Sequence, residues 1–321
     1  MIALALAVAA AGVPARVDAV AAKAGFAGEI LVGRGDRVVL DRGYGTVAPG
    51  AGGRRHRAGA TWRLASITKQ VTAALIVRDK GSNLDQPLGY MSIRSSLRQL
   101  LTHHSELANP DETPAGADGV PAFYSRPQAD MKYCLSEKPR PGREFSYNNC
   151  DYLAAAWGLP GIFREASPWP AGLRMARAGE MGVAGFVAGK PEPHYELASF
   201  GAAGGLMGTA RAVYNFDRSL MTGKLLSPAA RAELWKPEGG RSYQALGQWV
   251  FPGQLKGCAT PKRIVQRDGE IGGVQTRNYI LPDDDLAVVV FTNRGPDDFA
   301  IGEIWQGKGF AYDLLSAVAC S

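Results

Sequence analysis

Trp62-Arg63-Leu64-Ala65-Ser66-Ile67-Thr68-Lys69-Gln70 is the segment on which the reading of this chain turns. From Ser66 the pattern becomes helical and runs to Lys80, where Gly81-Ser82 ends it. Positions i and i+3 share one helical face, so the Ser66 hydroxyl and the Lys69 amine are neighbours. The preceding Trp62-Arg63-Leu64 and the following Val71, Leu75 and Ile76 would wall that face off from water. An ammonium is disfavoured in such a place, so Lys69 becomes able to accept a proton near neutral pH. Ser66 at the helix N-terminus gains from the positive end of the dipole as negative charge develops. Alone the signal is weak: a Ser-x-x-Lys arises by chance about once in a chain of this length. An ordinary helix start is the plain alternative.

Two further segments supply chemistry that a Ser-Lys pair lacks. Tyr147-Asn148-Asn149 follows Pro141-Gly142-Arg143-Glu144-Phe145-Ser146. A Tyr two residues before an Asn, on a loop after a Pro-Gly turn, can project both side chains into one cleft. The phenol can relay the serine's proton, and the amide can hold the lysine and a substrate carbonyl. Its plain alternative is a turn motif. Asp268-Gly269-Glu270-Ile271-Gly272-Gly273 leads into a strand at 274–281. Small residues there let substrate lie against the backbone, and a free N–H can stabilise an oxyanion. Its plain alternative is a glycine turn between two strands.

Outward from these segments, residues 28–33 and 38–40 are apolar, β-branched runs around Gly35-Asp36 and read as a hairpin. Strand signals return at 248–251, 263–266, 274–281 and 286–292. Helical patterns occupy 97–101, 151–157, 171–177, 209–221 and 228–235, and a last amphipathic stretch covers 299–318. The simplest architecture is an α/β (α+β) fold: a mainly antiparallel sheet built from both termini and flanked by helices, with an inserted all-helical lobe. Residues 16–60 and 236–321 form the sheet domain and 61–235 the mainly helical one, with the active site at the junction.

At roughly 150 residues per domain, 321 residues make about two lobes. Hydrophobic content of 46% with 21% charged residues excludes global disorder. The net charge of +6 is scattered, which argues against a dedicated nucleic-acid binder. There is no Gly-x-Ser-x-Gly, no His-Glu-x-x-His and no complete phosphate loop. Gly302 to Lys308 comes near to one, but Gly309 stands where Ser or Thr should be. His103 and His104 read as structural or loop residues. Residues 2–13 form a short apolar run, and Val13-Pro14-Ala15 fits a small-x-Ala cleavage site. Residues 1–15 therefore read as a signal peptide, although no Lys or Arg precedes the run; the apolar side of a first helix is the alternative. Cys134, Cys150, Cys258 and Cys320 allow three pairings. Cys134–Cys150 with Cys258–Cys320 is favoured, because the first pair is close in sequence and brackets a loop; four free thiols is the alternative. Export and disulfides agree on a periplasmic or secreted protein.

The three chemical segments, in this order, resemble those of the serine β-lactamase and penicillin-binding-protein superfamily. The branch is that of class C β-lactamases, D-Ala-D-Ala carboxypeptidases and related esterases. Residues 62–70 look like the family's nucleophile segment. Leu100-Leu101-Thr102-His103-His104-Ser105 looks like its Leu-Leu-Thr-His segment, and Tyr147-Asn148-Asn149 like its Tyr-x-Asn. Ala203-Gly204-Gly205-Leu206, Gly223-Lys224-Leu225-Leu226-Ser227 and Phe291-Thr292-Asn293 also match. The resemblance implies an acyl-enzyme mechanism with no metal or cofactor. Ser66 is then the nucleophile, and Lys69 with Tyr147 the proton-relay pair. Asn149 positions the substrate, Glu270, Gly272 and Gly273 line its site, and the N–H groups of Ser66 and Gly273 form the oxyanion hole.

The third segment departs from the family pattern of Lys or His, a small residue and Gly, because Glu270 stands first. At an effective dielectric near 20, reversing one charge at about 4 Å changes the interaction by roughly 8 kcal/mol before relaxation. A carboxylate there repels anionic substrates and raises the Tyr147 pKa. Arg277, seven positions on, would lie on the opposite strand face unless a bulge intervenes. Glu106 also replaces a usual Gly. These departures predict a neutral or amine-bearing ester or amide as substrate, Lys69 as main base and little β-lactam turnover. A β-lactamase or D-Ala-D-Ala carboxypeptidase is one alternative; a non-catalytic binder of cell-wall fragments or of a partner is another. The expected ligand is a small molecule or peptide, with no nucleic acid and no stable membrane span.

Overall fold

The computed structural model describes residues 12–50, 52–81, 83–88, 93–136, 144–159, 169–239 and 242–320. The Pro141-Gly142 turn and all of the 1–15 leader except its last four residues lie outside them.

The run Leu-Ala-Val-Val-Val-Phe-Thr is buried at every position of its strand, Leu286–Thr292. Such a run fits only the middle of a sheet covered on both faces. The strands are β1 (Gly28–Arg34), β2 (Arg37–Tyr44), β3 (Gln244–Ala245), β4 (Gln248–Gly253), β5 (Lys262–Ile271), β6 (Val274–Leu281) and β7 (Leu286–Thr292). They form one seven-stranded sheet in the order β2-β1-β7-β6-β5-β4-β3. Every neighbouring pair is antiparallel, and β1 pairs with β7 from Gly28↔Thr292 to Arg34↔Leu286. The two ends of the chain thus build one sheet, as the strand signals indicated.

Alternation along β7 assigns its two faces. Val288 and Val290 join a core with helices α1 (Val13–Ala24) and α7 (Phe310–Ala319) through Val17, Leu314 and Val318. Val289 and Phe291 face the second core, centred on α2 (Ile67–Lys80). Helix α2 is buried from Ile67 through Val77, so it is an interior helix rather than an amphipathic surface one. Around it stand α3 (Leu97–Leu101), α4 (Asn149–Trp157), α5 (Ala210–Met221) and α6 (Pro228–Leu234). The disulfides are Cys134–Cys150, tying the Met131–Ser136 helix to the first turn of α4, and Cys258–Cys320, holding the C-terminus to the loop after β4.

Three elements differ from the sequence reading. Helix α1 starts with Pro14 in its first turn and stops at a left-handed Gly25; its signal was hidden behind the cleavage-site pattern. The 171–177 stretch is a turn at Gly172 and a short strand, Arg174–Met175, paired with Leu206–Gly208. Of 299–318, the α-helix is Phe310–Ala319. Positive φ at Gly302, Gly307 and Gly309 breaks the earlier part, leaving one 3₁₀ turn at Ile304–Gln306.

Candidate active site

Ser66 sits where a short strand, Trp62–Arg63, turns into α2. Ala65 takes a left-handed conformation, φ 46°, to make that turn. A Cβ residue there carries a strain of about 1–2 kcal/mol. The turn is held by Ile67 N–H donating to Leu64 O and Thr68 N–H to Ala65 O. One helical turn later Lys69 is wholly buried.

Tyr147 closes on this pair from the loop before α4. Its hydroxyl is 2.6 Å from Ser66 Oγ. Lys69 Nζ is 3.2 Å from the same Oγ, 2.5 Å from Asn149 Oδ1 and 2.9 Å from Ala203 O. Three acceptors surround the amine, matching the three donors of an ammonium. Burial lowers the Lys69 pKa to about 8, with Arg267 adding to the effect and Tyr147 opposing it. Burial alone would raise the Tyr147 pKa; the positive charges of Lys69 and Arg267, with their hydrogen bonds, outweigh it and bring the phenol below its ordinary value.

Asn149 is fixed from behind. Its amide donates to the Tyr124 hydroxyl at 2.7 Å, and that hydroxyl donates to Asp111. The carboxylate can only accept, so Tyr124 must donate to it and accept from Asn149. That polarity turns the Asn149 carbonyl oxygen toward Lys69. Tyr124 is itself stacked on Phe200, 4.0 Å between ring centres.

His103 lies behind the phenol, 4.5 Å between ring centres, with Nδ1 2.9 Å from Asp151 Oδ2. Its carbonyl accepts from Ser146 N–H, just ahead of Tyr147. His103 thus supports the Tyr147 loop and does not reach Ser66.

Arg267 was not singled out from the sequence, and it is the cation of this site. The side chain is 1% exposed. Its Nε donates to Ser66 O at 3.0 Å and its Nη2 to the Tyr147 hydroxyl at 2.8 Å. Arg267-Asp268-Gly269 carries a cation first and a glycine third, the spacing sought three residues later at Glu270. That spacing was the available signal. Gly269 is required there: a Cβ would lie 2.9 Å from Ser66 N and 2.8 Å from Leu64 O.

Glu270 therefore does not take the cation's place. It is three residues from Arg267, on the other face of β5. In the ladder Asp268 opposes Arg277 and Glu270 opposes Gln275, so all four share that face. Arg277 Nε lies 3.1 Å from Asp268 Oδ1. The opposite-face expectation for Arg277 was wrong because a hairpin, not one continuous strand, separates it from Glu270. Burial raises the Glu270 pKa and Arg277 counters it. The carboxylate lines the cleft but faces away from Tyr147.

The Gly273 assignment is also corrected. Gly272 and Gly273 form the β5–β6 turn, and Gly273 N–H donates to Glu192 Oε2 at 2.7 Å, so it has no free donor for an oxyanion. Glu192 also accepts from Gly185 N–H and pairs with the buried Arg63. Gly272 lines the far end of the cleft. Beyond Gln266, β5 pairs with no strand on its β4 side among the described residues. An open strand edge therefore runs past Ser66.

The cleft has a volume of about 500 Å³, and Ser66, Tyr147, Asn149 and Arg267 all border it. It offers an alcohol in contact with a phenol and an amine, both of the latter with pKa values shifted below their ordinary ones. Among the described residues no group of three or more His, Cys, Asp or Glu could hold a metal ion, and no helix is long and apolar enough to cross a membrane.

The profile of the family described as Beta-lactamase matches residues 15–164 and 159–307. No curated protein matches the sequence. Among solved structures, a class C beta lactamase from Rhodobacter sphaeroides superposes with TM-score 0.68 at 19% identity, over 95% of this chain and 99% of that one. FmtA from Staphylococcus aureus gives 0.71 at 15%, over 94% and 86%. D-amino acid amidase from Ochrobactrum anthropi SV3, complexed with D-phenylalanine, gives 0.70 at 15%, over 95% and 98%. At these identities the likeness is one of fold.

Proposed function

Because this chain belongs to the Beta-lactamase family, we propose that it is a serine hydrolase working through an acyl-enzyme on an ester or amide. The observation that carries the reading is the contact of Ser66 Oγ with Tyr147 OH at 2.6 Å and Lys69 Nζ at 3.2 Å. Ser66 is the nucleophile. Its Oγ bonds to the substrate carbonyl carbon while its proton passes to the Tyr147–Lys69 pair. Ser66 N–H stabilises the oxyanion, with the second donor drawn from the open edge of β5 beside Gly269. Collapse breaks the bond to the leaving atom, which takes the proton from the pair. Water then repeats the sequence on the acyl-enzyme and frees Ser66.

Within the pair, Tyr147 is the immediate acceptor. The three acceptors around Lys69 Nζ favour its ammonium form, and Lys69 and Arg267 together stabilise a phenolate. Lys69 as main base would need Glu270 to face the phenol, and Glu270 lies on the opposite face of β5 from Arg267, which meets the phenol. Asn149 orients Lys69 and substrate. These steps draw on side chains and backbone alone. The two disulfides support folding in an oxidising compartment, periplasmic or extracellular.

Arg267 also favours a second reading. With a cation rather than Glu270 beside Tyr147, the charge objection at the phenol to substrates that carry a carboxylate, such as β-lactams and D-Ala-D-Ala peptides, falls away. Turnover of short p-nitrophenyl esters and of a chromogenic cephalosporin decides between the readings. Ester turnover should fall by about a thousandfold or more in Ser66→Ala. Undiminished turnover in that variant contradicts the assignment, and a cephalosporin rate above the ester rate selects the second reading.

A further inference from the structure

Six large apolar side chains stand exposed among the described residues, and three of them line one groove. These are Phe145, Tyr243 and Trp305, at 49%, 52% and 66% exposure. Singly exposed aromatics are ordinary; three gathered in one depression mark a binding surface. The groove has a volume of about 420 Å³. Phe251 forms its floor, with ring centres 6.0 Å from Tyr243 and 6.0 Å from Trp305. Its polar lining residues Ser242 and Gln244 are neutral, and among the described residues no charged side chain borders it.

The groove is not separate from the candidate active site. Trp249 borders both it and the Ser66 cleft. The Arg267 guanidinium lies 5.0 Å from the Trp249 ring centre while donating to the Tyr147 hydroxyl. Phe145 belongs to the Tyr147 loop, two residues earlier. The groove therefore opens on the phenol's side of Ser66, and Asn149, Tyr124 and Phe200 line the cleft elsewhere. The proton that leaves Ser66 must end on the leaving atom, so the leaving atom departs on the phenol's side.

We infer that this groove receives the leaving portion of the substrate, and that this portion is a neutral aromatic or similarly flat apolar alcohol or amine. The inference rests on the acyl-enzyme reading. In the acylation step the Oγ–carbon bond forms and the carbon–leaving-atom bond breaks. The Ser66 proton reaches the leaving atom through Tyr147, and the released neutral aromatic product lies against Trp249 and Trp305.

Two measurements test this. The first is the ratio of kcat/KM for 2-naphthyl acetate to that for methyl acetate, which share an acyl group, in the wild type, Trp305→Ala and Tyr243→Ala. Each substitution should lower the ratio about tenfold, the scale of one lost aromatic contact. The ratio for methyl 2-naphthoate to methyl acetate, which varies the acyl side, should not follow. The second is binding of 2-naphthol, followed by fluorescence in the Ser66→Ala background, which needs no turnover. Trp305→Ala should weaken it about tenfold. An unchanged leaving-group ratio in both variants overturns the inference, as does a loss that falls on the acyl-side ratio, or 2-naphthol binding that is absent or indifferent to Trp305. Binding that depends on Trp305 in a protein that turns over no ester upholds the groove and overturns the hydrolase reading instead.

Discussion

Arg267 touches both the Ser66 carbonyl and the Tyr147 hydroxyl, so one side chain sets a positive charge against the nucleophile's backbone and the phenol together. In the proposed mechanism the reactive state has the Tyr147–Lys69 pair one proton short. Arg267 lowers the pKa of both members, and its removal raises both. The acidic limb of the pH–rate profile should then move to higher pH in Arg267→Leu, by at least about one unit. Activity near neutrality should fall while activity above the limb recovers, and Arg267→Lys should restore part of the shift. A profile that drops uniformly at every pH would mean that Arg267 serves the fold and not the proton. At this scale the sequence was legible where spacing is helical: Ser66 and Lys69 are fixed relative to one another by one turn of α2. It was misleading at Glu270. The x-x-glycine spacing occurs twice in this glycine-rich stretch, at 267–269 and 270–272; the cation at Arg267 marks the first, and the contact of Gly269 with the Ser66 turn fixes it.

The β5–β6 hairpin is the element that carries Arg267 and Gly269 to Ser66, and Glu192 is what clasps it. Its two carboxylate oxygens take Gly273 N–H, Gly185 N–H and the Arg63 guanidinium. Both charged side chains are almost entirely shielded from water. Removing one partner strands the other in the interior, at a cost of about 3–5 kcal/mol. Glu192→Ala should therefore lower the denaturant midpoint by an amount corresponding to about 3 kcal/mol or more. Glu192→Gln, which keeps one acceptor, should lose less. A change below about 1 kcal/mol in Glu192→Ala would show that the clasp does not hold the hairpin. Strands 274–281 and 286–292 were readable from sequence because each is a continuous run between turn residues. The pairing that puts Arg277 opposite Asp268 was not, since register depends on where the two-residue turn falls.

At the scale of the molecule, the sheet takes its strands from both ends of the chain and α2 lies buried against it. This order of strand and helix signals was visible in the sequence. What closes the cleft was not, because Asp111, Tyr124 and Phe200 come together from three 3₁₀ turns of three or four residues, too short to leave a periodicity. The disulfides add a restraint on this arrangement. By loop length, 16 and 62 residues, they should contribute about 3 and about 4 kcal/mol through the unfolded chain. Reduction should lower Tm by several degrees. Loss of Cys134–Cys150 alone should also depress activity, because Cys150 follows Asn149 directly. A Tm indifferent to reductant would contradict this account.

The central claim is that Ser66 becomes covalently acylated in a crevice it shares with Lys69 and Tyr147. Intact-protein mass spectrometry after exposure to a fluorophosphonate, with the adduct located by peptide mapping, tests it most directly. The account predicts one adduct, on Ser66, formed much more slowly in Tyr147→Phe and absent in Ser66→Ala. A protein that stays unlabelled, or an adduct on another residue that persists in Ser66→Ala, would contradict it.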